Sequence, residues 1–305
     1  MDFIEKLLLK EVADITALPS GAYNIRKDAA GDGRKTTKNI DIVTKKDKPG
    51  IDIIVKPGTP DETVYIPAII TKSGVDDLVY NDFYIGEGAI VTIIAGCGVN
   101  CNSGETSRHN GIHRFFVGKR AIVKYIEKHV GMGEGTGERI INPETYIEAG
   151  EESYVEMETT QIKGVDSTDR FSKAILEKDA KLVIKEKIST HGKQYAKTTF
   201  EVDMNGEGSR ASLVSRSVAK DNSSQLFVSK INGNAACTGH SECDAIIMGD
   251  ASVSATPEIT ANNVDASLIH EAAIGKIAGE QIIKLMTLGL TEAEAETQII
   301  EGFLK

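Results

Sequence analysis

Gly86-Glu-Gly-Ala89-Ile-Val-Thr-Ile-Ile94 and Gly118-Lys-Arg-Ala121-Ile-Val-Lys-Tyr125-Ile126 share one pattern: a polar, glycine-led turn, a small residue, then a strand. The pattern returns at Gly150-Glu-Glu-Ser153, Glu177-Lys-Asp-Ala180, Gly206-Glu-Gly-Ser209 and Met248-Gly-Asp-Ala251. The small residues fall at 89, 121, 153, 180, 209 and 251, in steps of 32, 32, 27, 29 and 42. A near-constant step with strand content suggests stacked β units, that is, a solenoid. The same alternation suits an antiparallel sandwich with regular hairpins, so spacing alone leaves both open. Ile51-Asp-Ile-Ile-Val55 and Lys181-Leu-Val-Ile-Lys185 also read as strands. Few intervening segments have helical length and period, which argues against a doubly wound α/β sheet.

Helical spacing marks both ends. Phe3, Leu7, Leu8, Val12 and Ile15 form one face before Pro19-Ser-Gly21 stops it. Ile274, Ile277, Ile282, Leu285 and Leu288 form another, closed by Gly289. Thr291-Glu-Ala-Glu294 matches a capping box opening a last helix through Ile299, Ile300 and Phe303. The expected division is an N-terminal helix over 1–20, a β core over 21–268 and a helical segment over 269–305. A terminal helical hairpin either caps a β stack or docks a partner, and capping is the plainer reading.

The chain has 305 residues, with 35 Lys+Arg against 45 Asp+Glu, a net charge of −10. That allows one large or two modest domains and an adequate core. The acidic balance excludes a general nucleic-acid binder. No apolar run is long enough for a transmembrane helix. The acidic, amphipathic start does not read as a secretory leader. Four cysteines form no dense framework, so the expectation is a soluble cytoplasmic protein.

Three clusters carry candidate chemistry. In the first, Cys97-Gly-Val-Asn-Cys101 precedes His109 and His113. Cys-x3-Cys on a turn is not the usual zinc spacing, so Cys97 reads as a small buried hydrophobe. Cys101 and the two histidines stay candidate ligands. The second is Cys237-Thr-Gly-His240-Ser-Glu242-Cys243-Asp244. On a strand, Cys243 and Ala245 would face one side and Glu242 and Asp244 the other, so Cys237, His240 and Cys243 would need a bent loop to meet. In the third, the His270-Glu271 pair is not HExxH, because position 274 is Ile; an ordinary helix start explains it as well. Gly131-Met-Gly-Glu-Gly-Thr-Gly137 lacks the lysine of a phosphate loop and reads as a flexible loop.

Ser241-Glu-Cys243-Asp244-Ala-Ile-Ile-Met-Gly249, Ala255-Thr-Pro257, Ala266-Ser-Leu-Ile-His270-Glu271-Ala-Ala-Ile-Gly-Lys-Ile277, Glu280-Gln281 and Gly289-Leu290 together resemble the SufB/SufD family of iron–sulfur cluster assembly scaffolds. The ending Glu294-Ala295 to Ile300-Glu-Gly302-Phe303 looks like its C-terminal signature. Ala95-Gly-Cys97, His109, His113 and Ala121-Ile-Val-Lys-Tyr125 are similar to an upstream family region. The resemblance covers about residues 80–305. It implies a right-handed parallel β-helix-like core with a short N-terminal helix and a C-terminal helical segment. It also implies a non-catalytic scaffold rather than an enzyme. A SufC-like ABC ATPase would dock through Ile277, Glu280, Gln281, Leu285, Gly289 and Leu290. A transient iron–sulfur cluster would form at an interface with a second copy or another SufB/SufD-like subunit.

Cys243, His270 and Glu271 are the cluster or iron ligands this resemblance implies, and mixed Cys/His ligation suits such clusters. They lie 27 and 28 positions apart, near one repeat step, so stacking on adjacent coils is expected to bring them together. Cys237, His240, Cys97 and Cys101 are further candidates for sulfur handling or metal. Set against long members of the family, the N-terminal extension is expected to be missing, and no cysteine stands near Tyr146-Ile-Glu148, where the resemblance implies sulfur entry, or near Ala261. The sulfur donor is therefore left open. The alternatives are a zinc-binding structural protein, using Cys237, His240 and Cys243, and a β-helix carbohydrate-active enzyme. The second is disfavoured by the absence of Trp and an aromatic content of 5%.

Overall fold

Each small residue of the repeat marks a corner. In this computed structural model, which describes residues 2–305, Ala89, Ala121, Ser153, Ala180 and Ser209 are buried. Each donates its N–H to the carbonyl three residues earlier at 3.1–3.2 Å. The residue just before each is left-handed, with φ of 64° at Gly88, 56° at Arg120, 59° at Glu152, 56° at Asp179 and 74° at Gly208. Glycine takes this conformation freely, whereas Arg120 and Glu152 hold it at a cost of about 1 kcal/mol. The turn swings the chain from one sheet to the other and aims the small side chain inward.

The stack is a β-solenoid of about eight turns. One sheet contains β1 (Ala22–Lys27), β2 (Ala30–Lys35), β5 (Glu62–Ile70), β7 (Ile90–Asn100), β9 (Ile122–Met132), β12 (Tyr154–Lys163), β14 (Lys181–Thr190), β16 (Arg210–Ala219), β18 (Thr238–Ile247) and β20 (Ser267–Gly275). The other contains β3 (Ile40–Thr44), β4 (Gly50–Val55), β6 (Asp76–Ile85), β8 (Ser107–Val117), β10 (Arg139–Ile141), β11 (Glu144–Ala149), β13 (Ser167–Leu176), β15 (Tyr195–Met204), β17 (Ser224–Gly233) and β19 (Ser252–Ala261). Pairing is parallel throughout, except for antiparallel β1–β2 and β3–β4 at the N-terminal end. Inward side chains of both sheets share one core, with Phe83 and Phe115 stacked 4.3 Å apart.

The 42-residue step has a simple origin. Cys237 holds the corner before β18 and Ala266 the corner before β20, one coil after Ser209 and Cys237 respectively. The corner series is therefore 209, 237, 266, and Ala251 belongs to the opposite corner, before β19. A cysteine fills the position because its thiol is small and buried.

Helix α1 (Phe3–Ala13) packs Leu8, Leu9 and Val12 on the outside of the first sheet. Gly96 makes the approach possible, since a β-carbon there would lie 2.4 Å from the Val12 carbonyl oxygen. At the other end α2 (Gly279–Thr287) buries none of its residues, and α3 (Glu292–Phe303) buries Ala295 and Ile300. The capping box of Thr291 and Glu294 is present.

Two local expectations give way. The boundary expected at 268/269 falls inside β20, which pairs with β18 as far as Gly275 opposite Ile246. The ladder offers residues 269–275 backbone partners that an isolated helical turn would lack. The glycine-rich loop is also tightly packed: a β-carbon at Gly137 would lie 2.2 Å from the Glu105 carbonyl oxygen.

Candidate cluster site and buried polar chain

Strand alternation sets the chemistry of β18. Ser241, Cys243 and Ala245 point into the solenoid and are buried, while His240, Glu242 and Asp244 face out. Adjacent β20 has Ser241 opposite His270, Glu242 opposite Glu271 and Cys243 opposite Ala272. His270 therefore shares the inner face with Cys243, as its diagonal neighbour across the ladder. Glu271 lies on the outer face. The coil interval here is 29 residues, not 27 or 28, so the expected stacking of all three side chains does not occur within one chain.

The inner pair is unusual in its surroundings. Both ring nitrogens of His270 are buried without a hydrogen-bond partner. Burial, and then the neighbouring His240, lowers its pKa, so the ring is a neutral donor near pH 7. The Cys243 thiol is pushed up to about 12, first by burial and then by Glu186 and Asp244. A metal would have to displace that proton, which thiolate-binding ions do.

The outer face carries a different donor set. His240 Nε2 donates to Glu271 Oε2 at 3.1 Å. His240, Glu242 and Glu271 bring ligand atoms within 4.8 Å of one another. Burial and Asp244 raise the Glu242 carboxyl. Cys237, inward at its corner, and His240, outward, do not converge with Cys243, so the zinc trio of the sequence reading is not assembled.

Cys101 is buried. Its thiol donates to the carbonyls of Ser103 (3.5 Å) and Glu105 (3.2 Å). Cys97 packs as expected, buried with Ala68, Ile70 and Val99, although it sits in strand β7 rather than in a turn. Burial raises its thiol, but the His109 imidazole, and then that of His129, bring it down to about 7. These imidazoles belong to a chain of buried polar groups. Arg26 donates to Asp77 through Nε (2.8 Å) and Nη2 (2.6 Å), and His109 Nδ1 donates to Asp77 Oδ2 at 3.0 Å. Further along, Arg170 Nη1 donates to Glu127 Oε2 at 2.7 Å. The Thr198 and Ser215 hydroxyls donate to Glu186 at 2.9 and 2.8 Å. Cys243 closes the row: Glu127, Thr159, Glu186, Ser215 and Cys243 are register partners on successive coils.

Asp77, Glu127, His129, Arg170 and Glu186 were missed by sequence reasoning. A signal existed: counting by twos from the inward Val123 and Tyr125 of β9 leads to Glu127 and His129.

His113 titrates differently. Its Nδ1 donates to Tyr125 Oη (2.8 Å), which donates to Glu127 Oε1 (2.8 Å), and Asn81 Nδ2 faces its Nε2 at 3.4 Å. Burial pushes it down to about 4; Glu127 opposes this, and His109, His129 and Arg170 add to it. Between pH 6.5 and 4 the unfolded histidine gains a proton that the folded one refuses, so stability falls with acidification in that window. His113→Gln is expected to flatten this loss when urea midpoints are compared at pH 7 and 5. Equal slopes in both proteins would rule the assignment out.

The match to the family model for the SUF system FeS cluster assembly, SufBD core domain, spans residues 79–303, most of the solenoid and both C-terminal helices. The chain belongs to the SufBD family. It is 29% identical to a SufBD family protein of Methanocaldococcus jannaschii over 77% of this chain and 74% of that one. A SufBD protein of Archaeoglobus fulgidus is 29% identical over 82% of this chain and 66% of its own length. One of Methanothermobacter thermautotrophicus is 28% identical over 72% and 53% respectively. The SufBD assignment covers the terminal coils that hold Cys243, His270 and Glu271 and places the protein in iron–sulfur cluster assembly. Among the described residues no helix is long and apolar enough to cross a membrane.

Proposed function

We propose that this SufBD chain is a non-catalytic scaffold whose cargo, a nascent iron–sulfur cluster, is held by Cys243 and His270 where its last coil meets a second subunit. The carrying observation is His270, with two buried, partnerless ring nitrogens on the face it shares with Cys243. Leaving such a group unbonded costs free energy, and a metal ligand bond removes the cost. Thiolate and imidazole both suit iron. One chain offers only two inward donors here, so a second chain is needed to complete the coordination of a cluster. The last coil fits that role: Ile259, Val264, Ile269 and Ile274 are exposed along its open end, an edge that pairs readily with another strand. The second subunit is another copy of this chain or a related SufBD protein. Glu271, on the outer face with His240 and Glu242, supplies oxygen ligation to incoming iron.

The ATPase partner is the second part of the proposal. Helix α2 buries none of its residues and exposes Ile283 and Met286, with Leu288 beyond it. A SufC-like ABC ATPase seated on this hairpin, across Ile277, Glu280, Gln281, Leu285, Gly289 and Leu290, would cover that surface and drive the scaffold interface by ATP-dependent closure.

The test is anaerobic co-expression with the ATPase, followed by iron and acid-labile sulfide analysis of wild type, Cys243→Ser and His270→Ala. Cluster in the wild type, lost from both folded variants, is the expected outcome. Cluster retained in Cys243→Ser would move the site elsewhere, and zinc in place of iron in the wild type would overturn the scaffold reading.

A further inference from the structure

A second donor set lies about five coils from the terminal site. Cys97 Sγ, a Glu127 carboxylate oxygen and a His129 ring nitrogen lie within 4.8 Å of one another, and all three residues are buried. Cys97 and His129 are direct register partners on β7 and β9, and Glu127 is the next inward residue along β9. From β8 in the opposite sheet, the His109 imidazole acts electrostatically on the same thiol.

Three features distinguish this set from chance packing. His129 Nε2 is buried without a hydrogen-bond partner. His109 gives its Nδ1 proton to Asp77, and Arg26 clamps that carboxylate with two nitrogens, so Nε2 is the ring nitrogen left to take a ligand. A carboxylate behind the imidazole is how metal-ligating histidines are commonly oriented. Glu127 is fixed in turn by the Tyr125 hydroxyl and Arg170. A cavity of about 580 Å³ also lies on the neighbouring coil, lined by Arg26, Ala68, Asp77 and Asn81, among others. Ala68 is the register partner of Cys97, and Asp77 that of His109.

We infer that Cys97, His129, His109 and Glu127 form a buried site for one divalent transition-metal ion of the zinc or ferrous class. One thiolate, two imidazoles and a carboxylate suit four-coordinate zinc or iron, and are too soft a set for magnesium or calcium. The site is separate from the Cys243 and His270 pair, and stands or falls independently of it.

Cobalt(II) is the probe. In reduced, metal-free protein carrying Cys243→Ser, one equivalent of Co²⁺ is expected to give a near-ultraviolet sulfur-to-cobalt band and intense visible tetrahedral bands. Adding Cys97→Ala, which removes only the sulfur, should abolish the charge-transfer band while circular dichroism and the urea midpoint report an intact fold. Asp77→Asn, one bond removed from the metal, should weaken cobalt binding by roughly 10–100-fold yet keep the band. No band in the Cys243→Ser protein, or a band that survives Cys97→Ala, overturns the inference. Because Cys97 remains in the parent protein and Cys243 is already absent, either outcome leaves the terminal cluster site untouched.

Discussion

Arg170→Leu is expected to remove about 3–5 kcal/mol of folding stability, the scale on which breaking a buried ion pair acts. The guanidinium lies between two buried carboxylates. It donates to Glu127 Oε2 at 2.7 Å and lies 3.5 Å from Glu186 Oε1, and all three side chains are at most 4% exposed. Attraction to His129 and Arg170 holds Glu127 well below the usual carboxylate range despite its burial. That contribution is present above the unfolded carboxylate pKa and lost as the pH falls. Without Arg170 the burial of Glu127 has less to oppose it, so the defect should be greatest near neutral pH and ease as acid protonates the carboxylate. Glu127→Gln in the Arg170→Leu background should recover part of the loss by replacing a buried charge with an amide. Urea unfolding at pH 7 and pH 5 reads all three proteins. A loss under 1 kcal/mol, or one that deepens in acid, would mean that the interior chain is hydrated and not the dry network described above.

Truncation after Leu290 is expected to abolish co-purification of the ATPase while leaving the solenoid folded. The asymmetry comes from how little holds the hairpin. Its ties to the core include Lys187 Nζ to the Lys305 carbonyl at 2.9 Å and a long contact from Arg216 to the Phe303 carbonyl. Buried apolar area there is confined to Ala295 and Ile300, so the stability change should be small on the scale of a whole core. Glu280→Lys, in the first turn of α2, should weaken binding without truncation, both by reversing a contact charge and by placing a cation at the positive helix end. Undiminished ATPase capture by the truncated chain would remove the hairpin from the interface.

Much of the fold was legible because the corner turn leaves a mark in sequence. Gly86, Gly118 and Gly206 recur at the position where the chain crosses between sheets, and the small residue three positions on must fit inside. The 42-residue gap misled because Cys237 fills a corner usually given to Ala or Ser, and a cysteine invites a chemical reading. Cys243 was correctly expected to face away from Glu242 and Asp244, since period-two alternation decides that without any tertiary information. Register was not legible. A one-residue error in coil length sends a side chain to the opposite face, and that is what separates Glu271 from Cys243 and His270. The buried polar chain was hidden for another reason. Glu127, Arg170 and Glu186 sit in strands rich in charged outward residues, so their polarity alone does not distinguish inside from outside.

The central claim is that a cluster is held by one sulfur and one imidazole from the last two coils of this chain. Iron K-edge X-ray absorption on anaerobically purified protein tests it most directly, with wild type and His270→Ala compared at equal iron content. The account predicts a mixed sulfur and nitrogen first shell in the wild type and loss of nitrogen scattering in His270→Ala. An all-sulfur shell that is identical in both proteins would contradict it.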